Sequence, residues 1–149
     1  MKDKIVLSQG FEIQGADFVR GGEASCQIVE ALRDLAFPPE IVRRAGIASY
    51  EMEMNMVLYA DHGMLSLTVT PDAIMIFADD QGQGIPDIEL AMQNGYSTAT
   101  QEIREMGFGA GMGLSNIKKN SDKMQITSTV GEGTKVHIVI EANGARSNS

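Results

Sequence analysis

A glutamate and an asparagine four residues apart, Glu51 and Asn55, lie in a stretch whose apolar spacing predicts a helix. Residues at this spacing share one face of a helix, so both side chains can reach the same small volume. A carboxylate can orient or deprotonate an attacking group, and an amide oxygen can bind Mg²⁺. Judged by itself, the pair fits a solvated helix face better than a site. Glu53, on another side of the same helix, is expected to point elsewhere and to lack such a partner.

An aspartate and two glycines, Asp80, Gly82 and Gly84, directly follow a run that predicts a β-strand. A carboxylate at a strand end can accept a hydrogen bond from an exocyclic amine. The glycines would let the backbone approach a flat ring without a Cβ in the way. A simple turn is the alternative, because Asp and Gly cluster in turns. A calcium loop is excluded, because no acid falls at its final ligand position.

A glycine-rich run, Gly109-Ala110-Gly111-Met112-Gly113-Leu114, opens a predicted helix. Glycines at a helix N-terminus present free N–H groups to an anion, and the helix dipole favours negative charge there. The run is not a P-loop, because no Gly-Lys-Ser/Thr follows, and it lacks the preceding strand and later acid of a dinucleotide fingerprint. A flexible hinge is the alternative interpretation.

The last motif is Gly131-Glu-Gly133-Thr134, which lies between two predicted strands. Such a segment is usually only a hairpin turn. A threonine in this position can also place its hydroxyl beside a bound ring.

The rest of the chain predicts the elements that must position these motifs. Alternating apolar residues predict a first strand from Ile5 to Ile13, broken near Gly10, and Asp17 is the expected cap of a helix that reaches Leu35. The other predicted elements are a helix over about 40–62 that Gly63 stops, strands over 64–70 and 73–78 joined at Pro71-Asp72, a short helix over 88–92, a helix from 113, and strands over 124–130 and 135–141. This order predicts an α+β fold, a two-layer α/β sandwich in which helices cover one face of a mixed, mostly antiparallel sheet.

Composition narrows the setting. The 149 residues fit one domain, expected over 1–141, followed by a disordered tail over 142–149. The net charge of −8 argues against a nucleic-acid partner. No stretch is apolar enough for a signal peptide or a membrane span, so a cytoplasmic location is expected. Cys26 is the only cysteine, which excludes an intrachain disulfide, and it is expected to fill the core.

Together the four motifs resemble the nucleotide-binding boxes of the GHKL ATPase superfamily, which includes gyrase, chaperone, histidine-kinase and mismatch-repair ATPases. The resemblance covers about Phe11 to Ile140. It rests on E-x-x-x-N at Glu51 and Asn55, D-x-G-x-G at Asp80, Gly82 and Gly84, G-x-G-x-G-L at Gly109, Gly111, Gly113 and Leu114, and G-x-G-T ending at Thr134. It implies a histidine-kinase-like ATPase fold with ATP and Mg²⁺ as cofactors.

Within the superfamily, the short chain is similar to the stand-alone serine/threonine kinases of the bacterial anti-sigma and switch-protein family. That resemblance implies that Glu51 is the general base, Asn55 the Mg²⁺ ligand and Asp80 the residue that reads adenine. It also implies that residues 109–113 hold the phosphates under a mobile lid that includes residues 94–98. Ala99 and Thr100 follow that segment, where some relatives carry a basic residue. The resemblance therefore does not decide whether the lid contacts the terminal phosphate.

The implied function is phosphoryl transfer from Mg-ATP to a serine or threonine of a small regulatory protein, either anti-sigma antagonist-like or sigma factor-like. A homodimer is left open as a further partner. The alternatives are a nucleotide-dependent binding module without transfer and the detached catalytic domain of a histidine kinase. The last requires a phosphoacceptor histidine in a helical hairpin, whereas His62 is expected at a helix C-terminus and His137 in a strand.

Overall fold

The structure, a computed structural model, describes residues 4–92 and 113–142 of the chain. We number its helices and strands in chain order. They are β1 (Leu7–Gln14), α1 (Glu23–Asp34), α2 (Pro39–Tyr59), β2 (Ala60–Val69), β3 (Ala73–Gly82), α3 (Ile88–Ala91), α4 (Gly113–Lys119), β4 (Lys123–Thr129) and β5 (Gly133–Glu141).

The five strands form one sheet in the order β1-β2-β3-β5-β4, and all four strand pairings are antiparallel. Helix α2 packs against β1, β2, β3 and β5, while α1 and α4 pack against α2. The predicted two-layer α+β sandwich is confirmed. None of the helices in the described residues is long and apolar enough to cross a membrane.

Strand β3 shows how the sheet brings polar groups to the helix layer. Ile74, Ile76 and Ala78 are buried on the side that faces the helices. Successive side chains in a strand alternate between faces, so Asp80 continues this inward series beyond the last apolar residue. The strand therefore delivers a carboxylate to the end of the helix–sheet interface.

Helix α2 forms the centre of the helix layer. Its fully buried residues include Ala45, Ala48, Met52 and Met56, whose spacing places them along one side. The two methionines therefore pack in the core, as their helical spacing predicts. Because this side of α2 packs in the core, the rotation of the helix is fixed, and so are the directions of Glu51 and Asn55.

The predicted end of α2 is wrong. The helix ends at Tyr59, and β2 begins at the next residue, so His62 lies in a strand and not at a helix C-terminus. Gly63, expected to stop the helix, pairs with Asp80 inside the sheet. A Cβ at Gly63 would lie 2.5 Å from the sulfur of Met56, so the glycine permits close packing of helix on strand.

Helix α1 lacks the cap that was expected for it. The side chain of Asp17 accepts a hydrogen bond from the N–H of Arg20 at 3.2 Å, which makes a separate turn before the helix. The residue at the N-cap is Gly22, which has a φ of 100° and no side chain to cap the first turn. The first N–H groups of α1 must therefore find acceptors elsewhere.

Glu53 of α2 supplies those acceptors. Its carboxylate oxygens accept hydrogen bonds from the N–H of Ala24 at 3.2 Å and of Ser25 at 2.9 Å, and the residue is only 2% exposed. The expectation that Glu53 has no partner is wrong. A negative charge at a helix N-terminus is also favoured by the helix dipole, so one buried side chain joins α1 to α2.

Substitution Glu53→Ala should lower the free energy of unfolding by about 2–4 kcal/mol, because it leaves two buried N–H groups without acceptors. Urea unfolding followed by circular dichroism measures the loss. Glu12→Ala, which removes an exposed carboxylate from β1, is the matched control and should stay within about 0.5 kcal/mol of wild type. Equal stabilities for the two variants would contradict the capping role.

Two further details differ from expectation. Strand β1 runs without a break through Gly10, which pairs with Ser66. Cys26 is exposed on α1 and does not fill the core, because its side chain lies off the stripe that includes the buried Ala24 and Ile28.

The C-terminal strand continues into one more ordered residue. Ala142 is buried, and its N–H donates to the carbonyl of Asp72 at 2.8 Å. Residues 143–149, most of the expected tail, lie outside the described residues, so the division at 141 stays a prediction.

Candidate functional site

Glu51 and Asn55 project from α2 toward the first residue of α4. A Cβ at Gly113 would lie 3.1 Å from Oε2 of Glu51 and 3.1 Å from Oδ1 of Asn55. The two oxygens therefore converge on one point, where a side chain at position 113 would crowd them. The i, i+4 spacing and the start of α4 together create a small half-buried space lined by a carboxylate and an amide.

Burial raises the pKa of the Glu51 carboxyl above its usual value, because the charged form loses hydration in this space. A carboxylate whose pKa is raised toward neutrality is a stronger proton acceptor than one in water. No hydrogen-bond donor among the described residues contacts its oxygens. This chemistry suits a general base.

Glu51→Gln should raise the Tm at neutral pH, because the amide avoids the hydration cost of the half-buried carboxylate. The stability that neutral Glu51 contributes is present below its pKa in the unfolded chain and is lost as pH rises through the higher folded pKa. The difference from wild type should therefore close as the pH falls to about 4. Thermal melts over a pH series measure it.

Glu40→Gln is the matched control on the same helix. The Arg43 guanidinium, hydrogen-bonded to Glu40, holds the pKa of this exposed carboxyl below its usual value. Charged Glu40 thus favours the fold above its unfolded pKa, and its replacement should lower the Tm at neutral pH. A shift in the same direction for both variants would contradict the assigned burial of Glu51.

Asp80 and Thr134 form the second part of the site. Oδ1 of Asp80 accepts the backbone N–H of Thr134 at 3.1 Å, which fixes the carboxylate against the start of β5. Burial raises the pKa of Asp80, the Thr134 N–H opposes this, and the charge of Asp79 adds to it. Within the described residues no donor is assigned to Oδ2, so this oxygen can accept a hydrogen bond from a ligand.

The glycines around Asp80 make room for protein backbone. A Cβ at Gly82 would lie 2.8 Å from the carbonyl oxygen of Tyr59, and a Cβ at Gly133 would overlap the carbonyl oxygen of Asp80. Gly84 has a φ of +77°, and a Cβ there would lie 2.5 Å from the carbonyl oxygen of Thr129. Close backbone packing therefore accounts for all three glycines, and an approach of Gly82 and Gly84 to a bound ring stays a prediction.

Ser128 belongs to this cluster, and the sequence reasoning missed it. Its Oγ lies 2.8 Å from Oγ1 of Thr134 across the β4–β5 pair. A usable signal was present, since Met124 and Ile126 alternate with exposed residues and Ser128 continues that inward series. A polar residue in an apolar series beside a candidate site is a reason to look for a hydrogen-bond partner.

The glycine-rich run is only partly described. Residues 109–112, among them Gly109, Ala110, Gly111 and Met112, and the expected lid over 94–98 lie outside the described residues. Gly113 begins α4 beside Glu51, whereas Leu114 is buried in the core and anchors the helix. A phosphate-binding role for the run stays a prediction.

A separate cavity of about 170 Å³ lies between β1 and the start of α1. Phe11, Ile13 and Val57 line its apolar part, and Arg20 and Glu53 lie at its polar side. None of the predicted site residues lines it. The cavity is therefore distinct from the residues around Glu51 and from those around Asp80.

The structure is an α+β sandwich with two polar groups, one where α2 meets the start of α4 and one at the ends of β3 and β5. Residues 48–144 match the family model described as "Histidine kinase-, DNA gyrase B-, and HSP90-like ATPase". The chain belongs to this family. The matched region contains all of the predicted site residues, from Glu51 to Thr134.

Individual relatives agree with the family. The chain is 32% identical over 111 residues to "Serine/threonine-protein kinase RsbT" of Bacillus subtilis (strain 168). This alignment covers 72% of this chain and 77% of that protein. It is 31% identical over 99 residues to "Anti-sigma F factor" of Thermoanaerobacter sp. (strain X514). This alignment covers 66% of this chain and 62% of that protein, which is less than two thirds of the relative's length.

A solved structure has the same fold. "Mycobacterial sensor histidine kinase MprB" superposes with a TM-score of 0.50 at 17% identity, over 89% of this chain and 97% of that one. At this identity the likeness shows the fold alone. The expected histidine-kinase-like ATPase fold is confirmed.

Proposed function

We propose that this chain binds Mg-ATP and transfers the γ-phosphate to a serine or threonine of a small regulatory protein. The observation that carries the proposal is the convergence of Glu51 and Asn55, each with an oxygen 3.1 Å from the Cβ position of Gly113. A proton acceptor and an oxygen ligand at the start of a glycine-led helix form a suitable set for phosphoryl transfer, which depends mostly on positioning and electrostatics.

The Asp80 region fits an adenine base. The exocyclic amine of adenine needs an acceptor, and Oδ2 of Asp80 has no assigned donor within the described residues. Oδ1 is fixed by the Thr134 N–H, so the free oxygen has a defined direction. A base held in this way would lie beside the Thr134 hydroxyl.

The Asn55 oxygen fits a magnesium ion that is shared with phosphates. Mg²⁺ prefers oxygen ligands and is usually held by one or two protein groups together with substrate phosphates. Within residues 4–92 and 113–142, no group of three or more His, Cys, Asp or Glu side chains could hold a metal ion alone. Asn55 would supply the amide oxygen, and the bound ion would neutralise charge on the phosphates.

Glu51 would act on the attacking hydroxyl. The hydroxyl oxygen of the partner bonds to the γ-phosphorus, the bond from that phosphorus to the ADP oxygen breaks, and the hydroxyl proton passes to the Glu51 carboxylate. The raised pKa of Glu51, caused by burial, favours this acceptance. Thus the same desolvation that costs the fold stability would serve the transfer.

The names of two relatives support a regulatory protein as the partner. One is called a serine/threonine kinase and the other an anti-sigma factor, which fits an anti-sigma antagonist-like or a sigma factor-like client. The expected homodimer stays a prediction. Nucleotide-controlled binding without transfer is the competing function.

The proposal is tested by purifying the chain with the proteins that accompany it in the cell and adding ATP labelled at the γ-phosphate. We expect acid-stable label on a serine or threonine of a small protein. Acid-labile label on a histidine would instead favour a histidine-kinase catalytic domain. If ATP changes which proteins are retained and none takes up label, the binding module is the correct function.

A further inference from the structure

The hydroxyl of Ser128 lies where three segments meet beside Asp80. Its Oγ is 2.7 Å from the backbone N of Ile85, 2.8 Å from Oγ1 of Thr134 and 3.1 Å from the carbonyl oxygen of Gly133. Each distance is within hydrogen-bonding range. One small side chain at the end of β4 thus contacts both the loop after β3 and the first two residues of β5.

The protons of this cluster can be counted. A serine hydroxyl has one proton to donate and two lone pairs that accept. The N–H of Ile85 donates to Ser128, so one lone pair is occupied. The single proton of Ser128 then goes either to Gly133 or to Thr134.

The two choices leave Thr134 in different states. If Ser128 donates to Gly133, the Thr134 hydroxyl donates its own hydrogen bond to Ser128. It can then only accept a hydrogen bond from a ligand. If Ser128 donates to Thr134, the proton of Thr134 is free for a ring nitrogen. Ser128 therefore determines whether Thr134 can act as a donor beside the carboxylate.

The cluster also reaches the carboxylate. The backbone N–H of Thr134 donates to Oδ1 of Asp80 at 3.1 Å, so a displacement of Thr134 moves the group that orients Asp80. Ser128 holds the side chain of Thr134, and Asp80 is held by its backbone. The three residues therefore form one connected hydrogen-bond network.

The loop after β3 is tied down by the same strand end. Ile85 donates to Ser128, and two residues earlier the carbonyl of Gln83 accepts the N–H of Gly131 at 2.9 Å. The second bond is made by backbone alone and does not depend on Ser128. Loss of the Ser128 hydroxyl would therefore release one of two ties and leave the other intact.

We propose that Ser128 is a positioning residue for base recognition, which orients the Thr134 hydroxyl and, through Thr134, the Asp80 carboxylate. The inference rests on the proposed nucleotide site. The edge of adenine presents an amine donor beside a ring-nitrogen acceptor, so it needs an acceptor and a donor side by side. Asp80 supplies the acceptor, and the Thr134 hydroxyl supplies the donor when Ser128 gives its own proton to Thr134.

The test compares ATP with purine riboside triphosphate, which lacks the exocyclic amine, by titration calorimetry. Wild type should bind ATP more tightly than the analogue. Ser128→Ala should weaken ATP binding by about tenfold, the usual effect of one lost polar contact, and should narrow the preference for ATP. Ser128→Thr keeps the hydroxyl and should restore both quantities.

Ser66→Ala is the control, because it removes a serine hydroxyl from β2 of the same sheet. It should leave both affinities and the preference unchanged. Equal weakening of ATP and the analogue in Ser128→Ala would indicate a merely structural role and overturn the inference, as would no weakening. If wild type binds neither nucleotide, the proposed function itself falls.

A second variant covers the case in which Ser128→Ala does not fold. Thr134→Val removes the partner hydroxyl and leaves the bond from Ile85 to Ser128 in place. It should weaken the binding of both nucleotides, because both carry the ring nitrogen that the hydroxyl would meet. It should also narrow the preference for ATP, because position 134 loses the contact to Ser128 that holds it beside Asp80, and circular dichroism confirms the fold. An unchanged preference in this folded variant would overturn the inference.

Discussion

Replacing Glu51 with glutamine should lower phosphoryl transfer to the partner by about 10²–10⁴-fold, the usual contribution of a positioned general base. The amide has the same shape as the carboxylate, so the space beside Gly113 and the affinity for Mg-ATP should be nearly unchanged. Single-turnover transfer of labelled phosphate measures the rate, and calorimetry measures the affinity. Unchanged transfer with the correct partner would remove Glu51 from the mechanism.

Asn55→Ala is the matched comparison, because its oxygen lies at the same distance from the Gly113 Cβ position as that of Glu51. It should weaken ATP binding in a way that depends on Mg²⁺, since it removes a metal ligand and not a base. When Mg²⁺ is left out, the ATP affinities of the variant and of wild type should differ less. The two variants therefore separate the chemistry from the binding.

Asp80→Ala should lower the affinity for ATP by about tenfold to a hundredfold and abolish discrimination against GTP. The exocyclic amine would lose its acceptor, and the N–H of Thr134 would lose the oxygen that it now contacts at 3.1 Å. Lost polar contacts of this kind cost about 1–3 kcal/mol, which corresponds to that range of affinity. Calorimetry with both nucleotides measures the effect.

Asp79→Ala is the control for Asp80. Asp79 is the neighbouring carboxylate in β3, and strand alternation directs it to the other face of the sheet; its register partner in β5 is Lys135. It should leave the ratio of ATP to GTP affinity unchanged. If both variants, or neither, lose that ratio, Asp80 does not read the base.

The local patterns predicted much of the architecture. The hairpin at Pro71-Asp72, the helix that carries Glu51 and Asn55, and the strand that ends near Asp80 were all identified from residues close together in sequence. These elements could be predicted because periodicity and turn chemistry act over a few residues.

The failures involve partners that lie far apart in sequence. Glu53 looked unpartnered because the N–H groups that it accepts belong to residues 28 and 29 positions earlier. Gly63 looked like a helix stop because its real role, close packing against Met56 and Asp80, exists only after β2 and β3 pair. Ser128 was missed for the same reason, since its contact with Ile85 spans 43 positions.

The capping of α1 by Glu53 limits which substitutions at positions 22 and 53 can occur during evolution. Gly22 sits at a φ of 100°, which penalises any side chain, so the usual capping residues cannot simply be exchanged into that position. A lineage that lost Glu53 would lose both acceptors of the first turn of α1, and a capping side chain at position 22 could replace them only with a change in the backbone there. Among near relatives, the glycine and the glutamate should therefore be kept together or lost together.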